Sequence, residues 1–150
     1  MRNAIGFIDE NGKSCVTTSA QSPYQLHGEL AQLFGVSTDE VRVISPDVGG
    51  SFGMKGVLYR EDALVVWAAR RLQKPVFWAA DRGESFLSDE HARAVSGTAS
   101  LGLDKDGNFT ALWVDARIDA GAYLSRRTKG LLNNMGGVAG QYKTPVIATQ

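Results

Sequence analysis

The sequence predicts an α+β fold with a mixed sheet, two main helices (about 23–34 and 57–73) and a long β-hairpin (about 95–116). Three observations predict it. Apolar residues recur at helical spacing in two stretches. Short β-branched or aromatic runs precede and follow those stretches. An Asp-Gly turn joins two long apolar-rich segments in the second half.

The elements follow in order. Two strands are expected at about 4–9 and 14–19, joined by the turn Glu10-Asn11-Gly12. Ser22-Pro23-Tyr24-Gln25 is a helix start, with Ser22 as N-cap, Pro23 in the first turn and Gln25 completing a capping box. Leu26, Leu30, Leu33 and Phe34 share a face, and Gly35 is the stop. Val41-Arg42-Val43-Ile44 is a short strand, and Ser45 to Gly56 is a Gly-rich loop. In helix 57–73, Ala63, Leu64, Val66, Trp67, Ala68 and Leu72 cover most of the surface, so burial on more than one side is expected. Lys74-Pro75 ends it, and Val76 to Ala80 is a strand. Strand, Gly loop, helix and strand then form a parallel crossover. Val95 to Leu103 pairs with Phe109 to Ala116 across Asp104–Asn108, where Gly107 supplies the left-handed residue. Asn133 to Gly140 is irregular, and the last residues, from Val146, read as a strand.

A chain of 150 residues is expected to form a single domain. Charge balances at 16 against 16, which gives no basis for a nucleic-acid or membrane-surface partner. The lone Cys15 excludes a disulfide framework within these residues and fits a reducing, cytoplasmic setting. No apolar run approaches the roughly 20 residues of a membrane span, and no secretory signal follows Met1. Both ends read as cut: Met1-Arg2-Asn3 runs straight into an apolar stretch, and Val146–Gln150 stops inside a strand.

The chemistry concentrates in Val48-Gly49-Gly50-Ser51-Phe52-Gly53-Met54-Lys55-Gly56. Four glycines in eight residues let backbone N–H groups approach a ligand closely. The following helix start adds partial positive charge. Such a site suits an anion. It matches neither the Walker pattern nor the dinucleotide fingerprint, since Met54 precedes Lys55, Gly56 follows it, and the glycines lack the required spacing. The same loop also reads as a structural turn that seats a helix on the sheet. Gln21, just before the first helix, carries an amide able to donate to an anion or oxo group over that helix end. His27 and His91 lack partners at metal-ligand spacing, so no protein-held metal is expected. Asp81-Arg82-Gly83-Glu84 is expected to lock its turn through ion pairs.

In sequence order, these stretches resemble one family. They are Thr18–Pro23, Val41–Lys55, Asp81–Phe86, Asp89–Arg93 and Asp119–Tyr123. The set is similar to the molybdopterin-binding large subunit of the xanthine dehydrogenase, aldehyde oxidase and aerobic carbon monoxide dehydrogenase family. Asp89–Arg93 and Gly121-Ala122-Tyr123 lean toward the carbon monoxide dehydrogenase-like branch. The resemblance implies that Gln21 approaches the molybdenum oxo group. It implies that Gly49, Gly50, Ser51, Phe52 and Gly53 wrap the pterin, expected in its cytosine dinucleotide form. The pterin dithiolene, not a side chain, would hold the metal. The implied reaction is an oxidoreductase hydroxylation of an aldehyde, N-heterocycle or similar small molecule with oxygen from water, or oxidation of CO. Electrons would leave through iron–sulfur and FAD subunits or domains.

Departures from the pattern matter. Purine-oxidising members carry a Glu after the loop lysine, where this chain has Gly56, and an Arg where an ungapped count lands on Asn133. Xanthine is therefore disfavoured. The family's general-base glutamate falls later than these residues, so no catalytic residue is assigned here. The expectation is a fragment that is inactive alone, retains no cofactor and works with the rest of its own subunit. The alternative from another class is a free-standing phosphate or nucleotide module using residues 48–56.

Overall fold

The computed structural model describes residues 1–90, 94–124 and 137–150. They fall into two compact units, residues 1–90 and 91–150. The α+β class holds, but with two mixed sheets where the sequence predicts one.

The first unit is a four-stranded sheet in the order β3-β2-β1-β4. Its strands are β1 (Asn3–Ile8), β2 (Ser14–Thr18), β3 (Val41–Ile44) and β4 (Val76–Ala79). β2 and β3 pair in parallel, while β1 is antiparallel to both β2 and β4. Pairing puts Ala4 opposite Thr18 and Trp78, and Gly6 opposite Val16 and Val76. That face receives α1 (Pro23–Phe34) and α2 (Arg60–Leu72). Ala4, Val16, Leu26, Leu30, Val41, Val65 and Val66 form the core between them. Gly6 is required there: a Cβ would run into the Val65 carbonyl and come within 2.6 Å of Val66 N. The backbone of α2 thus lies directly on β1.

α1 begins and ends as its sequence dictates. Ser22 Oγ accepts from Gln25 N at 3.4 Å, Pro23 opens the helix, and Gly35 closes it at φ 63°. The expected capping box does not close, and the Gln25 amide nitrogen donates to Glu29 one turn on.

Three expectations need correction. The helix read at 57–73 starts only at Arg60, where the Asp62 carboxyl accepts from Tyr59 N and fixes the first turn. It is buried on one side, through Asp62, Val65, Val66 and Ala69, while Leu64, Trp67 and Leu72 are exposed. The expected parallel crossover is present: β3 leads through this helix to β4, which runs in the same direction at the opposite edge of the sheet. The β1–β2 hairpin fills the middle, and the adjacent parallel pair is β2–α1–β3. The turn at Asp81–Glu84 opens a third helix, α3 (Arg82–Ser88). Asp81 caps it by accepting from Glu84 N at 2.7 Å, and Arg82 lies over the Phe86 ring, so the expected ion-pair lock does not form.

The second unit is a three-stranded sheet in the order β5-β6-β7. β5 (Val95–Leu103) and β6 (Phe109–Ile118) make the long hairpin, and β7 (Val146–Thr149) adds in parallel to β6. The hairpin runs two residues longer than the sequence predicts, because Val95 pairs with Ile118. Its turn copies the β1–β2 turn. Asp9 Oδ1 accepts from the amides of Asn11 and Lys13, and Asp104 Oδ1 from those of Asp106 and Asn108. Gly12 and Gly107 then take φ 79° and 83°. Of the irregular stretch at 133–140, residues 137–140 form turns, and 133–136 lie outside the described residues.

Candidate functional site

The site is built where β2 and β3 end. Both strands run in the same direction, so the loops after them leave from one edge of the sheet. In open sheets with parallel neighbours, ligands bind at such carboxyl ends. One loop is 19–22 and carries Gln21; the other is 45–59 and carries the glycines.

The two loops are bonded to each other. Gln21 N donates to the Lys55 carbonyl at 2.8 Å. Ala20 N donates to Ser45 Oγ at 3.0 Å, and that hydroxyl lies 3.2 Å from the Ala20 carbonyl, to which it donates. Gln21 and the Gly loop, 34 residues apart at the Lys55 bond (55 − 21), are thus neighbours.

Within the loop, the glycines are open to ligand. Gly49 and Gly50 are exposed, and among the described residues the N–H groups of Gly49, Gly50 and Ser51 have no hydrogen-bond partner. Two tight turns follow, closed by Met54 N to Ser51 O and by Gly56 N to Gly53 O. Phe52 has φ 51° and is 84% exposed. A left-handed phenylalanine with its ring in solvent is a costly conformation, of a kind concentrated at ligand contacts. Its ring leans over Gly50, where a Cβ would come within 2.9 Å of the ring edge. Free, exposed N–H groups on a loop fit an anionic, oxygen-rich group. The helix end contributes less than the sequence implies: α2 begins four residues past Gly56, and its first turn carries Glu61 and Asp62.

The remaining candidates are structural or undescribed. His27 Nε2 lies 2.8 and 3.0 Å from the carbonyls of Thr38 and Val41, so it carries a proton and ties α1 to β3. His91 lies outside the described residues. Cys15 is buried, and burial raises its thiol pKa. Among the described residues, no cluster of His, Cys, Asp or Glu is placed to hold a metal.

Sequence reasoning missed a second cluster. Arg2 is 5% exposed and pairs with Asp89 at 2.7 Å and Glu61 at 3.1 Å. Burial opposes its charge, but the two carboxylates outweigh that and leave its pKa above the usual value. Its guanidinium lies 3.6 Å from the centre of the Tyr59 ring. Beside it, Asp62 is buried: Oδ2 accepts from Tyr59 N at 3.2 Å, and Oδ1 lies 2.9 Å from Thr18 Oγ1. Burial pushes the Asp62 carboxyl above the ordinary range. No local signal marks Arg2, since its partners lie 59 and 87 residues away. An acid in the first turn of α2 was the one visible sign of Asp62.

Known proteins match this architecture. The molybdopterin cofactor-binding domain family matches residues 1–150, and the chain belongs to that family. The nicotine 6-hydroxylase large subunit of Paenarthrobacter nicotinovorans is 34% identical over 70% of this chain and 13% of its own length. A protein named probable hypoxanthine oxidase XdhD from Escherichia coli K12 is 33% identical over 72% of this chain and 11% of its own. The crystal structure of quinoline 2-oxidoreductase from Pseudomonas putida 86 superposes with a TM-score of 0.84 at 30% identity, covering 99% of this chain and 20% of that one. The chain therefore spans between about a tenth and a fifth of these relatives. Among the described residues, no helix is long and apolar enough to cross a membrane.

Proposed function

We propose that these residues form one wall of the cofactor site in a molybdenum hydroxylase large subunit. The observation that carries the reading is the bond from Gln21 N to the Lys55 carbonyl, which sets the glutamine loop against an open Gly loop. Membership of a molybdopterin cofactor-binding family supports that class of cofactor. When bound, the molybdenum–pterin group would supply the redox chemistry and the site for water-derived oxygen. This chain's residues bind and orient it. The N–H groups of Gly49, Gly50 and Ser51 would donate to its anionic oxygens. The exposed Phe52 ring would cover one side, and the Gln21 amide would donate a hydrogen bond to the group. The pterin is taken in its cytosine dinucleotide form.

The substrate class we favour is an N-heterocycle or an aldehyde. Two of the relatives above are named for nicotine and quinoline, and one for hypoxanthine, a purine. Purines remain disfavoured by Gly56, where a substrate-binding glutamate stands in purine oxidisers. The general base lies outside this chain, and iron–sulfur and FAD partners would accept the electrons. We place the assembly in the cytoplasm, with the 150 residues acting as a single domain of a larger subunit.

The test compares the full-length parent with the 150-residue chain. In the parent, Gly50→Val should lower molybdenum per subunit measured by elemental analysis. Gln21→Ala should keep the metal but lower kcat by roughly a hundredfold, as for loss of one preorganised donor. The isolated chain should retain no metal; near-stoichiometric molybdenum there would overturn the fragment reading. Saturable shifts of the Gly49–Gly56 amides with phosphate or a nucleotide would favour a free-standing module instead.

A further inference from the structure

The buried cluster beside the two loops holds one proton too few. Thr18 Oγ1 lies 2.9 Å from Asp62 Oδ1 and 3.0 Å from the Asn3 carbonyl. A hydroxyl has a single proton, so it serves one of these two acceptors. If Asp62 is a carboxylate, the other contact sets two oxygens against each other with no proton between them, either at the buried Asp62 or at the part-buried Asn3 carbonyl. That arrangement is costly where water is excluded. If Asp62 is a carboxylic acid, every contact is satisfied. Its Oδ1–H donates to Thr18 Oγ1, the Thr18 hydroxyl donates to Asn3 O, and Oδ2 accepts from Tyr59 N.

Charge points the same way. Arg2, the cation that faces Asp62 from the start of β1, is already paired with Glu61 of α2 and with Asp89. An ionised Asp62 would be a third carboxylate around one buried guanidinium. Burial, the largest influence, and Glu61 favour the neutral acid, while the Thr18 hydroxyl, the Tyr59 N–H and Arg2 favour the anion. Thr18, on the β2 side, and Tyr59, ahead of α2, bring no charge.

We propose that Asp62 is a neutral carboxylic acid and a positioning residue for the cofactor-side loops. Thr18 ends β2 three residues before Gln21, and Asp62 sits in the first turn of the helix that leaves the Gly loop. The chain Asp62–Thr18–Asn3 ties the roots of both loops to β1 without adding a buried negative charge beside an anion site. Its role in cofactor placement rests on the function proposed above; its protonation state does not.

The experiment uses the full 150-residue chain without molybdenum. Carboxyl 13C shifts are followed against pH. Asp62 should keep its protonated shift throughout the ordinary aspartate range. Ionisation of Asp62 within that range overturns the proposal. Asp62→Asn mimics the neutral acid, with an N–H for Thr18 and an oxygen for Tyr59 N. It should leave the Gln21 and Lys55 amide shifts in place. Asp62→Ala and Thr18→Val should shift them and speed Gln21 amide exchange roughly tenfold, the effect of one lost buried hydrogen bond. An Asp62→Asn protein that behaves like Asp62→Ala also overturns it. A parent enzyme indifferent to Gln21 would defeat the functional reading and leave this result untouched.

Discussion

The two units share a hairpin turn and differ in everything behind it. Residues 1–90 put two long helices on one face of a sheet and bury Leu30, Val16 and Val66 completely. Among the described residues of 91–150, no large apolar side chain is fully buried, and Val95, Leu101, Leu103, Trp113 and Val146 are all exposed. A sheet must cover one apolar face to be stable on its own. The first does so with its own helices, and the second has no helix among its described residues. The loops that carry the candidate site belong to the unit with the core. A rigid base fits loops that must hold a ligand in place.

The largest expected effect tests that contrast directly. Leu30→Ala should cost about 3 kcal/mol in urea denaturation, as for a buried leucine leaving a cavity. Trp113→Ala, in the second unit, should cost less than about 1 kcal/mol. Equal costs would erase the distinction. Arg2→Met comes next, at about 3 kcal/mol, because it leaves Asp89 and Glu61 unpaired at low exposure. Gly6→Ala should cost about 2 kcal/mol by forcing α2 off β1. Smallest are Gly12→Ala and Gly107→Ala, each about 1 kcal/mol at a positive φ. Because the turns match, these two should agree even though the units behind them do not.

The pH dependence sharpens the comparison further. Asp62 binds its proton more tightly folded than unfolded, since burial raises its pKa. The folded state then holds more protons than the unfolded one above the ordinary aspartate range. Stability of the first unit should fall as pH rises from that range through the raised pKa, and level off beyond it. Asp62→Asn should flatten that slope in a urea series run at successive pH values.

How much of this was legible varies by element, for a physical reason. The hairpin turns and α1 are local: an aspartate reaching its own amides, a glycine at positive φ, and a serine–proline start each act within five residues. The Gly loop and Gln21 were legible as residue types, and the family resemblance joined them. The Arg2 pairs and the seating of α2 on Gly6 were not legible, because they depend on contacts 59 or more residues apart.

The sequence by itself determined the α+β class, α1, the strands, both hairpin turns and the family. Those depend on periodicity, on turn and cap chemistry, and on ordered motifs. Only the tertiary structure decided that there are two sheets, that β3 and β4 sit at opposite edges, and that the glutamine and glycine loops bond at one edge. It alone put Thr18, Asp62 and Arg2 together, because burial and pairing between distant segments exist only once the chain has folded.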